Sequence, residues 1–513
     1  CDEVRGNEKS GTKIQSRKIR DRQFVRNFNE FEQGRFYMEK LQRIISSPPA
    51  GEQLIAPFRI ALVVLLLALY PVLVFATGQG EEDSADGAVT ITIGNWPQQQ
   101  EEEELELYEQ YTARMNELHP EITIETDTWQ YDANSFLPKA EAGQLPNLFV
   151  TWFTEPRRII SGGYAADLTA AMEEYDYVNA INPDMLDLVE SDGRYYGVPI
   201  SGYVLGLQFN LTVMDEAGML NNDGTPQKPG TWQELAEMAQ EIRERTGKAG
   251  FFFPGTNNQG GWLFTNVGWN FGVDFLTETN DGWEATFNTP EAVEAVQFIR
   301  DLKWEYGALQ ENNLVDVNES FRLMGTDQVG MSISTLDWVD IPFERYDADR
   351  NNYAYTALPE GPGGNESLVG GSLYMASRES TAEQIDAIFK WFDVVGHTPT
   401  LDDDGIQALE ESLAAARENG LVVGPTGLPI WTDAQRVEVE QELRDQYRNV
   451  DPALFRDYVA NGAANPRPEE PVATQELYRV LDGVIQAVLT EEDADIQMLL
   501  DQAVEDFQRQ HLD

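Results

Sequence analysis

Residues 88–95 read AVTITIGN, in which β-branched side chains alternate between apolar and hydroxyl-bearing, the period of two that a strand requires. A grammar then unfolds from it. Glu101 to Leu118 places Leu105, Tyr108, Tyr111, Met115 and Leu118 at three- and four-residue steps, so one stripe of an acidic helix is apolar. His119-Pro120 stops that helix, Ile122 to Thr126 forms a second strand, Ser135 to Ala142 a second helix, and LPNLFVTW at Leu145 to Trp152 a third strand. Strand, helix, strand, helix, strand predicts a parallel sheet covered by helices.

Downstream the pattern continues. GRYYGVPI leads into VLGLQFN, a strand-like run ending at Asn210. Thr231 opens the helix TWQELAEMAQEIRER with Glu234 at capping-box spacing, and Thr289-Pro290 opens TPEAVEAVQFIRDLKWEYG, with Pro in the first turn where no N–H is needed. QVGMSIS and LVGGSLYMAS are further strands, and the chain from Ala382 onward is mainly helical.

At 513 residues the chain exceeds one ordinary core, and its 11 Trp, 19 Tyr and 24 Phe are those of a globular protein. The 88 acidic residues against 36 basic ones, a net charge of −52, argue against nucleic acid, because phosphate binding needs a basic face. Such acidity is a solvated, self-repelling surface of the kind that salt-adapted proteins carry.

Upstream of the first strand lies IALVVLLLALYPVLVF, residues 60–75, with Arg59 before it and Ala76 and the acidic GQGEEDSADG behind. Positive flank, apolar core and small residues at a cut are the layout of a secretory signal, so residues 60–76 are expected to be a signal peptide or, if kept, a membrane tether. The protein is therefore expected outside the cytoplasm, in the periplasm or on the outer face of the cytoplasmic membrane. Residues 1–59 are basic and are expected to form an unstructured or misassigned leader; residues 77–88 form an acidic linker.

Catalytic signatures are scarce. No GxxxxGK[ST], GxGxxG after a strand, GxSxG or HExxH occurs, and Cys1 is the single cysteine. Asp402, Asp404, Gly405 and Glu411 fall near calcium-loop spacing, but Thr400 stands at the first ligand position and an acidic turn before a helix accounts for them equally. No catalytic residue, metal ligand or cofactor is assigned.

The tryptophans carry more information. Trp96, Trp129, Trp152 and Trp338 stand beside predicted strand ends or in loops, and Trp262 and Trp269 in a Gly/Asn-rich stretch. Ligands of open parallel sheets sit beyond the carboxyl ends of strands, and flat aromatic faces suit the C–H face of a sugar ring. Each of these indoles is equally well a core residue. Trp232 and Trp304, at helical spacing, are expected in the core.

Seven segments together, LPNLFVTW, DGRYYGVPISGYVLGLQFNLTVMDEAGM, PGTWQELAEMAQ, FNTPEAVEAVQFIRDL, GTDQVGMSIS, ALPEGPGG and VGGSLYMAS, resemble in order the extracellular solute-binding proteins of ABC sugar importers, the maltodextrin-binding group. The resemblance implies an α/β fold of the periplasmic binding protein-like type II class: two lobes around a ligand cleft, joined by hinge crossovers. Lobe 1 would comprise 89–203 and 369–430, lobe 2 204–368 and 431–513, with crossovers near Ser201–Leu205, Leu368–Gly371 and Thr426–Trp431. It further implies contacts from Trp152, Glu155, Tyr203, Trp338, Gly371 and Ser372. The implied partners are a carbohydrate-like solute and the transmembrane subunits of an ABC permease, for a monomer that is not an enzyme. A ligand-presenting sensor or an exported polysaccharide-degrading enzyme is the alternative. Asn147 stands where the family usually has Asp, and PQQQEEEE after Trp96 lacks a charged contact pair of some relatives.

Overall fold

The structure, a computed structural model, describes residues 88–99, 102–133, 135–280 and 282–512; the basic leader, the apolar run and the linker up to residue 87 lie outside the described residues. Two sheets organise the chain. The first opens as the sequence predicts: β1 (Val89–Ile93), α1 (Glu102–Leu118), β2 (Ile122–Thr126), α2 (Phe136–Glu141), β3 (Leu148–Trp152) and α3 (Pro156–Ser161). β1 runs parallel to β2, Val89 facing Ile122 through to Ile93 facing Thr126, and parallel to β3 at Ile93 and Leu148. Ile91 and Ile93 are buried, whereas Thr90 is exposed, so the alternation read from the sequence sorts core from surface.

β4 (Gly197–Val204) and β5 (Gly206–Asn210) are separated only by Leu205, yet they belong to different sheets. The chain then forms α4 (Trp232–Thr246), β6 (Ala249–Phe252), α5 (Gln259–Phe271), α6 (Pro290–Trp304), β7 (Val329–Ser334) and β8 (Tyr353–Thr356). The second sheet has the order β8-β5-β7-β6: β7 is antiparallel to β5 and parallel to β6. Every residue of β5 and β7 is buried, as strands covered on both faces must be.

The chain returns to the first sheet through β9 (Ser367–Ala376), which pairs antiparallel with β3 (Ser372 facing Trp152) and with β4 (Gly371 facing Gly202). Helices α7 (Ala382–Val394), α8 (Asp403–Glu418) and α9 (Ala434–Tyr447) follow, then the short β10 (Pro466–Pro468) parallel to the start of β9, and finally α10 (Thr474–Thr490) and α11 (Ile496–Phe507). Leu428 bridges to Gly202 and Trp431 to Ile181.

Local chemistry sets the helix starts. Thr231 accepts from the N–H of Glu234 at 3.2 Å, but the Glu234 carboxylate receives the N–H of Gly230 at 2.7 Å, so the expected box is closed one residue early. The reciprocal box occurs instead at Thr381 and Gln384. Asp402 accepts from the N–H of Gly405 at 2.8 Å as the cap of α8, which gives this acidic turn a helix-starting role. Trp232 is buried, as expected, but Trp304 is 39% exposed, because its indole N–H reaches past the core to the carbonyl of Val488 at 2.9 Å. The Gly/Asn-rich stretch around Trp262 is helical, not a loop. Gly260 and Gly261 sit in the first turn of α5 because α10 crosses there: a Cβ on Gly261 would stand 2.1 Å from the carbonyl oxygen of Tyr478.

Candidate functional site

Between the carboxyl ends of strands from the two sheets lies a cavity of about 300 Å³. From the first sheet it is walled by Trp152 at the end of β3, Thr154 just beyond, Tyr203 near the end of β4, and Gly371 in β9. The floor is glycine for a steric reason. A Cβ on Gly370 would fall 2.4 Å from the phenol of Tyr203, and one on Gly371 would fall 2.7 Å from the ring of Phe153, so the bare backbone lets both rings lie against β9.

From the second sheet come Asn257, Asn258 and Gln259 after β6, Trp262 in α5, and Trp338 in the 3₁₀ turn Leu336–Trp338 after β7. Asn257 and Asn258 hold φ of 60° and 66°, a left-handed conformation that Asn tolerates. Asp482 of α10 secures this turn: its carboxylate accepts the N–H groups of Asn258 and Gly261, each at 2.7 Å, at the positive end of α5. The Asn258 side chain donates to Gln475, which in turn donates to Thr154 at 3.4 Å, so a chain of amides ties the two walls together. The rings of Trp262 and Trp338 tilt against each other, 5.7 Å between centroids, and Phe321 meets Trp338 edge-on.

Glu469 is the acid of the cavity. Its carboxyl accepts the Tyr478 hydroxyl at 2.7 Å and the Trp262 indole N–H, but desolvation outweighs both and pushes its pKa up to about 8. Thr154 and Glu469 also line a second cavity of about 540 Å³ on their far side, with Arg157, Asp184 and Trp283. The first cavity thus combines indole and phenol faces with amides, a hydroxyl and one carboxyl, the groups that stack on and hydrogen-bond a small polar ring.

Trp152, Tyr203, Trp262, Trp338 and Gly371 are brought together here. The other expected residues are placed elsewhere. Trp96 packs edge-on to Tyr108 and beside Trp391 in the core. Trp129 lies against Tyr131 and Phe149, with the Lys139 ammonium 5.2 Å over its ring. Trp269 is buried, its N–H bonded to Glu470 at 3.0 Å and its face covered by Arg467. Glu155 is 2% exposed at the start of α3 and supports rather than lines the cavity: it accepts the hydroxyls of Tyr131 and of Thr154, a lining residue, and burial raises its pKa. The Ser372 hydroxyl pairs with that of Ser201 at 3.0 Å on the β4–β9 ladder.

Sequence reasoning missed Thr154, Asn257, Asn258, Gln259, Glu469, Gln475 and Tyr478. The Asn-Asn pair in a glycine-rich turn was the one legible signal. Thr154 follows the end of β3 and Gln259 opens α5 beside that pair, whereas Glu469, Gln475 and Tyr478 lie on a C-terminal segment whose approach to α5 nothing local announces.

Among solved structures, maltose-bound MalE3 of T. maritima superposes over 82% of this chain and 100% of its own, with a TM-score of 0.63 at 20% identity. The shared fold is that of type II periplasmic binding proteins: two α/β lobes around a cleft, joined by several crossovers. An arabinooligosaccharide-binding protein of Halalkalibacterium halodurans is 24% identical over 229 residues, 43% of this chain and 47% of that protein. A putative binding protein of Brucella abortus is 26% identical over 181 residues, 35% of this chain and 41% of that protein. The chain spans less than half the length of these curated relatives. Residues 99–396, more than half of the chain, match the bacterial extracellular solute-binding proteins, and with that fold around an aromatic, amide-lined cavity the chain belongs to this family of binding proteins.

Proposed function

We propose that this protein captures a sugar or short oligosaccharide in the cavity between its lobes and hands it, chemically unchanged, to the transmembrane subunits of an ABC importer. One observation carries the reading: Trp152, Tyr203, Trp262 and Trp338, supplied by both sheets, share one opening with the amides of Asn258 and Gln475. Stacking on ring C–H faces and hydrogen bonds to hydroxyls are what that combination offers. The arabinooligosaccharide-binding relative and the maltose-bound structural neighbour support the class of solute.

Closure is a hinge motion of the lobes, 89–203 with 369–430 against 204–368 with 431–513, around the single residue Leu205 and the glycines of β9. The family's extracellular character supports export with residues 60–76 as signal or tether. Among the described residues no helix is long and apolar enough to cross a membrane.

A screen of mono- and oligosaccharides read by tryptophan fluorescence and thermal shift tests the proposal. A hit that quenches or shifts the indole emission, raises Tm and is recovered intact by mass spectrometry is the expected result. Conversion of the hit to a new product, or no hit across the screen, sinks it.

A further inference from the structure

Among the residues that line the first cavity there is no lysine, arginine or histidine, and the single ionisable carboxyl is Glu469. Resting on the capture reading, we propose that the captured solute carries an ammonium group, held by the Glu469 carboxylate among the rings of Tyr203, Trp262, Trp338 and Tyr478. The class is an amino sugar or a quaternary-ammonium polyol.

Three features converge on this. Aromatic faces carry the negative lobes of their quadrupoles and attract cations, most strongly when water is excluded. Among the described residues Glu469 has two neutral donors and no ion-pair partner: Tyr478 and Trp262 bond it, Tyr203 and Tyr478 face it, and Glu155 adds negative potential from behind. Arg157 lies in the wall of the second cavity and outside the lining of the first, and two other basic groups are engaged elsewhere. Arg158 lies 3.9 Å from Glu155 and 4.0 Å from Glu476, and Arg467 covers Trp269 and pairs with Glu366 at 2.8 Å. The adjacent Glu470 turns away, to Trp269. An acid so desolvated holds its proton near neutrality, and a cationic guest would displace that proton and leave the carboxylate paired. A neutral sugar supplies no such replacement.

Isothermal titration calorimetry of the full chain with glucose, glucosamine and choline tests this, in two buffers of different ionisation enthalpy and across about pH 6 to about pH 8. Glucosamine or choline is expected to bind at least about tenfold tighter than glucose. Choline, whose charge does not titrate, should tighten about tenfold or more as pH rises through that range, with release of a proton below about pH 8. Glu469→Gln should abolish both the cation preference and the proton release. Glucosamine binding alone identifies an amino sugar; choline binding alone identifies a quaternary ammonium. Glucose binding as tightly as either cation, without pH dependence in the wild type, overturns the inference and leaves sugar capture standing. No binding by any of the three overturns the inference, while sugar capture stands or falls with the wider mono- and oligosaccharide screen.

Discussion

Trp96 and Trp262 are exposed to nearly the same degree, 7% and 8%, yet one is core and the other faces the cavity. Trp96 is closed in on its faces by Tyr108 and Trp391, from a helix of the same sheet's cover and from α7. Trp262 meets Trp338 on one side and open volume on another, because α5 is set by the two glycines that let α10 cross. Trp269, seven residues and so two turns further along nearly the same face of the helix, is instead sealed by Arg467 and Glu470. The difference teaches that burial does not mark a binding tryptophan. What marks it is a packing partner withheld on one face.

The sharpest way to break this contrast is to truncate both kinds of ring. Trp269→Ala should cost about 3–5 kcal/mol of stability by denaturant unfolding, as expected for a large aromatic removed from a sealed core. A cost under about 1 kcal/mol would mean that Trp269 is no core residue. Gly261→Ala should cost about 1–3 kcal/mol and also weaken solute binding, since the new methyl presses on Tyr478 and displaces the wall that carries Trp262. Unchanged affinity in that variant would detach the helix crossing from the site. Trp152, 42% exposed, reverses the ratio: Trp152→Ala should leave stability within about 0.5 kcal/mol. Its solute affinity should fall about tenfold, about 1.4 kcal/mol, by fluorescence titration.

A further prediction concerns pH. Glu469 has a folded pKa raised to about 8 from 4.5, so between those values the folded state holds a proton that the unfolded state has released. Stability from this group is therefore lost as pH rises through that window. Urea unfolding at several pH values should show a profile that declines more steeply in the wild type than in Glu469→Gln; parallel profiles would remove Glu469 from the desolvated wall of the cavity.

Much of the first sheet was legible. The alternation at Val89–Ile93, the apolar stripe of α1 and the capping threonines at 231 and 289 are local signals, and the strands and helices formed where they predict. The helix of Trp262 was not legible, because the two asparagines just before it and the two glycines in its first turn read as a loop. The reason for Gly261 is the backbone of Tyr478, more than two hundred residues away. Trp304 shows the reverse error: its spacing placed it on an apolar stripe, but a distant carbonyl at Val488 draws it to the surface.

From the amino-acid order alone came the acidic, globular, α/β character of the chain and the strand ends beside which Trp152 and Trp338 stand. Those follow from periodicity and charge, which act between near neighbours. Which rings share a cavity, and that Glu469, Gln475 and Tyr478 complete it, depended on β9 crossing between the sheets and on α10 packing across α5. Such contacts are chosen by the packing of surfaces far apart along the chain, and no local pattern encodes them.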